Sequence, residues 1–294
     1  MEIGVSLPTT SSAAWDPGLA ALARRAEDEG AASLWVNDHL AMVGESRKRY
    51  PYSADGRMTW AAGDPQLEAL TCLAHVAAVT TTARLGTAVL VLPQRHPVAT
   101  AKTAATLDVL SAGRLVLGVG AGWLAEEMQA LGYSFEDRGS RMEECMRIMR
   151  YAWQGHVRAM EGDHFTIPAD LWMHPMPVQP GGPPLLVGGV SAPARRRAAR
   201  TGDGWLAVAD LEQMETDTLA AHLKEIGEVR RDAGRTGRFT SVLKLNCAGG
   251  SADDTTRAVA IAQEAGFDEV VLDVPWQTPG HVFTTLRRAA AAVA

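Results

Sequence analysis

Short apolar runs alternate with amphipathic stretches along the chain. Ile3–Leu7 is the first run, closed by Pro8. Asp16-Pro17 then supplies an N-cap and a proline at the first helical position. Leu19, Leu22, Ala23 and Ala26 follow at i, i+3, i+4 and i+7, and Gly30 stops the predicted helix. Ser33–Asn37 is the second strand-like run, and Gln66–Thr80 reads as a helix. Leu85–Leu92, a helix over Pro97–Leu110 and a strand over Arg114–Val119 make a strand–helix–strand unit, whose strands must be parallel.

Past Trp123 the pattern gives two helices, the second marked by Met142, Cys145, Met146, Met149 and Trp153 on one stripe, best read as core. Strand-like runs return at Leu185–Val187, Trp205–Val208, Ser241–Cys247 and Glu269–Val274. Helical segments follow each: Ala192–Arg200, the stretch around Leu219, Leu223 and Ile226, the face of Ala258, Ile261, Ala262 and Ala265, and Pro279–Val293. Eight alternating units predict an α/β protein with a (β/α)8 TIM barrel. A doubly wound open sheet is the rival, but it needs fewer strands. Residues 1–294 are expected to form one barrel domain with insertions at about 40–65 and 155–184. A long polar connection of the first kind inside a compact domain is usually functional.

Composition changes the picture only by exclusion. Hydrophobic content of 47% with 21% charged residues suits a globular protein, and a net charge of −6 disfavours nucleic acid or an anionic membrane as partner. Three widely spaced cysteines give no disulfide framework. The N-terminus opens on a strand rather than a basic, apolar leader, and no apolar run nears the ~20 residues that span a bilayer. A cytoplasmic protein is expected. The eight histidines show neither HExxH nor ligand-spaced clusters, so no metal site is expected.

In a barrel, loops after strands share one face, and that face carries the chemistry. Asp38 and His39 follow strand two; Pro93, Arg95 and His96 follow strand three. Gly118, Gly120, Ala121 and Gly122 lead into Trp123 after strand four, and Gly188, Gly189, Val190 and Ser191 follow strand five. Asp38-His39 is either a carboxylate with a proton-moving imidazole or a structural pair. The Gly188–Ser191 loop before a helix is either a phosphate site or a plain turn. Arg195, Arg196 and Arg197 read as a solvated helix face or as a partner for an acidic cofactor tail. The adjacent acids Glu126-Glu127 and Glu143-Glu144 point to different sides of their helices, so neither is read as a catalytic pair.

The stretches SLWVNDHL (33–40), YPYSADG (50–56), LGTAVLVLPQRHPVATAKTAATLDVLSAGRLVLGVGAGW (85–123) and PPLLVGGVSAPARRRAARTGDGW (183–205) resemble the bacterial-luciferase-like superfamily. Within it they are most similar to the oxidoreductases that use the deazaflavin coenzyme F420. The resemblance implies an insertion-bearing barrel, a homodimer, and a flavin or deazaflavin lying across the mouth. It places Asp38 and His39 beside the reactive ring edge, and a non-prolyl cis peptide at Ala88–Val89 behind the ring. The Gly188 and Gly118 loops match the phosphate and tail contacts. The implied reaction is hydride transfer between the deazaflavin C5 and a small organic substrate, with His39 moving the proton and Asp38 orienting it or touching the ring. The alternatives are an FMN monooxygenase served by a separate flavin reductase, and a non-catalytic flavin-binding barrel. Where the sugar-phosphate dehydrogenases of the family have a glutamate, Trp123 stands, and no lysine opens the basic helix. Tyr50, Tyr52, Trp60 and Trp123 suggest an apolar or aromatic substrate cavity, though each would also suit a core.

Overall fold

Eight parallel strands close into a barrel in the computed structural model of the chain, which describes residues 1–10, 12–44, 46, 50, 56 and 61–293. They are β1 (Glu2–Ser6), β2 (Ser33–Val36), β3 (Arg84–Val91), β4 (Leu115–Gly120), β5 (Leu185–Gly188), β6 (Gly204–Asp210), β7 (Thr240–Asn246) and β8 (Glu269–Asp273). Each pairs with its sequence neighbour, and β1 closes against β8. Around them stand α1 (Leu19–Asp28), α2 (Ala69–Ala77), α3 (Pro97–Leu110), α4 (Ala125–Ala130), α5 (Arg138–Ala152), α6 (Ala192–Thr201), α7 (Thr216–Asp232), α8 (Ala252–Ala265) and α9 (Pro279–Val293). This is the (β/α)8 architecture the strand count called for.

The two-residue period of a strand divides the core in two. On β2, Leu34 and Val36 join the large layer between strands and helices. Trp35, between them, joins Leu186, Leu206, Val242 and Val271 in a separate cluster inside the barrel. Gly86 makes room for the Trp35 ring, since a Cβ there would lie 2.3 Å from it. Below that ring the indole Nε1 donates to Ser33 Oγ at 2.6 Å, and Arg84 Nη2 stands 2.7 Å from Glu269 Oε2. The buried Glu269 carboxylate is thereby paired, as a charge taken out of water must be. That polar plug sits at the amino-terminal end of the strands, the structural end of such a barrel.

Several local expectations shift. Asp16 does not cap α1: Asp16–Pro17 is cis, and the helix starts at Leu19 after Gly18, whose φ of 99° only glycine adopts easily. The second helix begins later than expected, at Ala69, because the side chain of Glu68 accepts from Thr71 N at 2.7 Å and caps it there. The expected 155–184 insertion contains short paired strands. His156–Val157 pairs antiparallel with Leu171–Trp172, and Met160–Glu161 with Thr166–Ile167. All three cysteines are buried and unbridged, and burial pushes each thiol up to about 12. Among the described residues no helix is long and apolar enough to cross a membrane, and no cluster of His, Cys, Asp and Glu could hold a metal ion.

Candidate active site

The strand ends that matter are four neighbours in the barrel, β2, β3, β4 and β5. β3 carries the irregularity. The Ala88–Val89 peptide is cis, and the pairing of β3 with β4 shifts register between Thr87 and Leu90. Val89 is half-buried and packs against the interior cluster. Its side chain fills the space beside two glycines: a Cβ on Gly120 or on Gly188 would come within 2.5 Å of a Val89 methyl. A Cβ on Gly118 would meet the Thr87 carbonyl oxygen at 2.1 Å. These glycines are therefore required by the bulge itself, a packing reason the sequence did not suggest. Gly122, at φ 78°, clears Val91 and Met128 in the same way. Ala121 lies between them, partly exposed.

After β5 the chain turns at Gly189, whose amide donates to Leu206 O at 3.0 Å and whose carbonyl accepts from Trp205 Nε1 at 2.8 Å. The Gly189 amide is thus already engaged within the protein. Ser191 caps α6 through Ala194 N, and the first helical bond is Arg195 N to Ser191 O at 2.9 Å. The amides of Val190, Ser191 and Ala192 precede that bond, at the positive end of the helix. Arg195 is paired with Glu225 and donates to Val190 O, while Arg197 is paired with Glu143. Those two cations brace the fold, and Arg196 lies exposed between them.

Asp38 and His39 sit side by side in sequence and face different partners. The Asp38 carboxylate accepts from Val91 N at 2.9 Å and from Arg95 Nη2 at 2.7 Å, and Arg95 also binds Glu68 Oε1 at 2.9 Å. Burial pushes the Asp38 carboxyl up against the pull of Arg95, and the two carboxylates keep Arg95 charged despite its own burial. Asp38 therefore ties the end of β2 to the end of β3 and to the start of α2. The carboxylate that orients His39 is a different one. Glu127 Oε2 accepts from His39 Nδ1 at 2.8 Å, and Glu127 Oε1 accepts from the amides of Leu40 at 2.5 Å and Ala41 at 3.1 Å. Gln94 Nε2 adds a fourth bond at 3.2 Å. Glu127 is 1% exposed. Burial raises its pKa, but the His39 bond and the two amides outweigh that and hold it below the ordinary carboxylate value. An acceptor at Nδ1 fixes the neutral tautomer, with Nδ1 protonated and Nε2 the basic atom.

Trp123 stands edge-on to His39, ring centroids 6.1 Å apart, and Tyr50 stands edge-on to Trp123 at 5.2 Å. Three of the candidates, His39, Trp123 and Tyr50, thus follow one another in contact, with Glu127 bonded to His39. Tyr52 and Trp60 lie outside the described residues. His96 is exposed and packs on Phe165, away from this group. Sequence spacing alone sets Glu127 aside with its neighbour Glu126. Only its place in the first turn of the helix after β4 hinted at a role. A separate cavity of about 420 Å³ opens between the loops after β7 and β8, lined by Cys247, Gly249, Pro275, Thr278 and His281. Its lining includes none of the His39 group, and the bond geometry around His39 makes that group the stronger candidate for chemistry.

Comparison with known proteins bears on the family and the fold. Residues 1–260 match the luciferase-like monooxygenase family. An uncharacterized protein of Mycobacterium tuberculosis is 38% identical over 74% of this chain and 73% of its own length. An F420-dependent glucose-6-phosphate dehydrogenase of Kineococcus radiotolerans is 30% identical over 71% of this chain and 58% of its own. Among solved structures, an F420-dependent secondary alcohol dehydrogenase in complex with an F420-acetone adduct superposes with a TM-score of 0.79 at 18% identity, over 100% of this chain and 99% of that one. A type II Baeyer-Villiger monooxygenase of Pseudomonas putida, in complex with FMN, superposes with a TM-score of 0.76 at 16% identity, over 100% and 98%. Proteins of this fold thus take either F420 or FMN. The chain belongs to the luciferase-like monooxygenase family.

Proposed function

We propose that this protein is an F420-dependent oxidoreductase that moves hydride between the deazaflavin and a small organic substrate. The observation that carries the reading is the Glu127–His39 pair, a buried carboxylate fixing an imidazole at the mouth beside two aromatic rings. The mouth suits a flat ring. Val89 offers a half-buried apolar surface, and Gly120 and Gly188 place no side chain of their own against it. The amides of Val190, Ser191 and Ala192 suit a phosphate next to that surface.

When bound, the deazaflavin would accept or supply hydride. The chain's own residues would do the rest. His39 Nε2 takes or gives the proton that accompanies hydride, and Glu127 stabilises the imidazolium formed meanwhile. Trp123 and Tyr50 confine the substrate and exclude water. Asp38 holds β2 and β3 in place through Val91 and Arg95. The 30% identity to an F420-dependent enzyme favours F420.

The likeness to an FMN-bound oxygenase supports a second reading, an FMN monooxygenase fed by a separate reductase. Oxidation of reduced F420 by a panel of ketones and aldehydes, with and without the protein, tests the first reading. Acceleration that is lost in His39→Ala, with F420 affinity kept, supports it. No acceleration with any carbonyl compound, and none with alcohols in reverse, counts against it.

A further inference from the structure

Across the mouth from the glycine-lined strands lies a polar half. The inward faces of the strands rise in layers, two residues at a time. Trp35, Leu206, Val242 and Val271 form the interior apolar layer. The residues that follow two positions later on β2, β7 and β8 are Asn37, Lys244 and Asp273, one level nearer the mouth. They meet there. Lys244 Nζ donates to Asn37 Oδ1 at 2.7 Å and stands 2.8 Å from Asp273 Oδ2. Beside them Asn246 Nδ2 donates to Asp210 Oδ1 at 2.7 Å. The Lys244 side chain is only 13% exposed, so this ammonium is mostly out of bulk water.

Two features of Lys244 point to a ligand. An ammonium has three N–H donors, and among the described residues its partners take two. Its charge is also matched by Asp273, while Asp210 adds a negative charge to the same half of the mouth. A carboxylate or phosphate brought here would meet two carboxylates with no excess positive charge to offset them. A carbonyl or hydroxyl oxygen would accept the third N–H without that repulsion.

We propose that Lys244, braced by Asn37 and Asp273, recognises an uncharged oxygen on the substrate. The substrates would then be neutral ketones, aldehydes or alcohols rather than sugar phosphates or carboxylates. This rests on the oxidoreductase reading above and names its substrate class. Asn37 adjoins Asp38 and His39 in sequence, so the recognised oxygen would lie on the same side of the mouth as the proton-moving group.

The test compares three probes of one shape, cyclohexanone, cyclohexanecarboxylate and cyclohexyl phosphate, by saturation-transfer NMR and competition titration on the full chain, with and without F420. Cyclohexanone is expected to bind, and the two anions to bind more weakly. Lys244→Met should weaken cyclohexanone about tenfold, the loss of one hydrogen bond from a charged donor. Asp273→Asn leaves the ammonium unmatched and should strengthen cyclohexanecarboxylate binding. This second variant decides the matter if the first does not fold. Absence of cyclohexanone binding, anions that bind the parent protein as well as cyclohexanone does, or no gain in Asp273→Asn would overturn the proposal. Cofactor affinity is read separately: probes that bind as expected to a protein taking neither F420 nor FMN would sink the redox reading and leave Lys244 recognition standing.

Discussion

Glu127 Oε2 accepts the Nδ1 proton of His39 at 2.8 Å, across 88 residues of sequence. The consequence for catalysis is specific. His39→Ala should lower the rate of hydride transfer by about 10²–10⁴-fold, the usual worth of a placed acid–base group, with F420 affinity within twofold of the parent. Glu127→Gln should lower the rate too, because an amide neither stabilises imidazolium nor enforces the tautomer. Steady-state rates beside fluorescence titrations check both. Unchanged turnover in His39→Ala would remove it from the mechanism.

The same carboxylate leaves a mark on acid stability. Its folded pKa lies below the ordinary value of 4.5, with burial opposing and the His39 and amide bonds prevailing. Its contribution is therefore complete above about 4.5 and is lost as pH falls through the lowered folded value. Glu127→Gln should unfold less steeply with acid in that window. Urea midpoints measured between pH 3 and 6 would show the difference in slope.

Arg95 joins Asp38 and Glu68 in a mostly buried ion network. Arg95→Met strands the fully buried Asp38 carboxylate without its cation. Such a loss costs about 3–5 kcal/mol. Chemical denaturation of the variant should show it, whereas Arg196→Met, on the exposed face of α6, should change stability by less than about 0.5 kcal/mol.

Gly188 and Gly120 are tied to Val89 by contact rather than by a ligand. A methyl at Gly188 would stand 2.5 Å from Val89 Cγ1. Gly188→Ala should destabilise the barrel by about 1–3 kcal/mol through overpacking and weaken F420 by displacing the Val89 surface. Pairing it with Val89→Ala should recover stability. No recovery would mean the glycine serves another contact.

Much of the fold was legible because barrel strands announce themselves. Leu85–Leu92 and Trp205–Val208 are buried runs whose neighbours are helices, and their regular recurrence fixes the architecture. The Ala88–Val89 cis peptide was also legible, through resemblance to a family; the same resemblance singled out the Asp38-His39 dipeptide but not Glu127 as the partner of His39. What sequence spacing could not supply was pairing between distant residues. Glu127 reads as one of two adjacent acids pointing to different sides of a helix, and only the placement of α4 turns it inward onto His39. Lys244 and Asn37 lie 207 residues apart, and only closure of the barrel brings them into contact. The glycines of the fourth strand looked like a ligand loop, yet Gly118 and Gly120 first answer to the Thr87 carbonyl and the Val89 side chain. The 155–184 segment hid its short hairpins because two-residue strands carry no periodicity to read.

The occupant proposed for the mouth formed by β3–β5 is a deazaflavin. Parallel titration of the purified protein with F420 and FMN, followed by quenching of its eight tryptophans, tests it most directly. The expected result is micromolar binding of F420 with FMN weaker by at least about tenfold, ~1.4 kcal/mol. Tighter binding of FMN, or binding of neither, would contradict it.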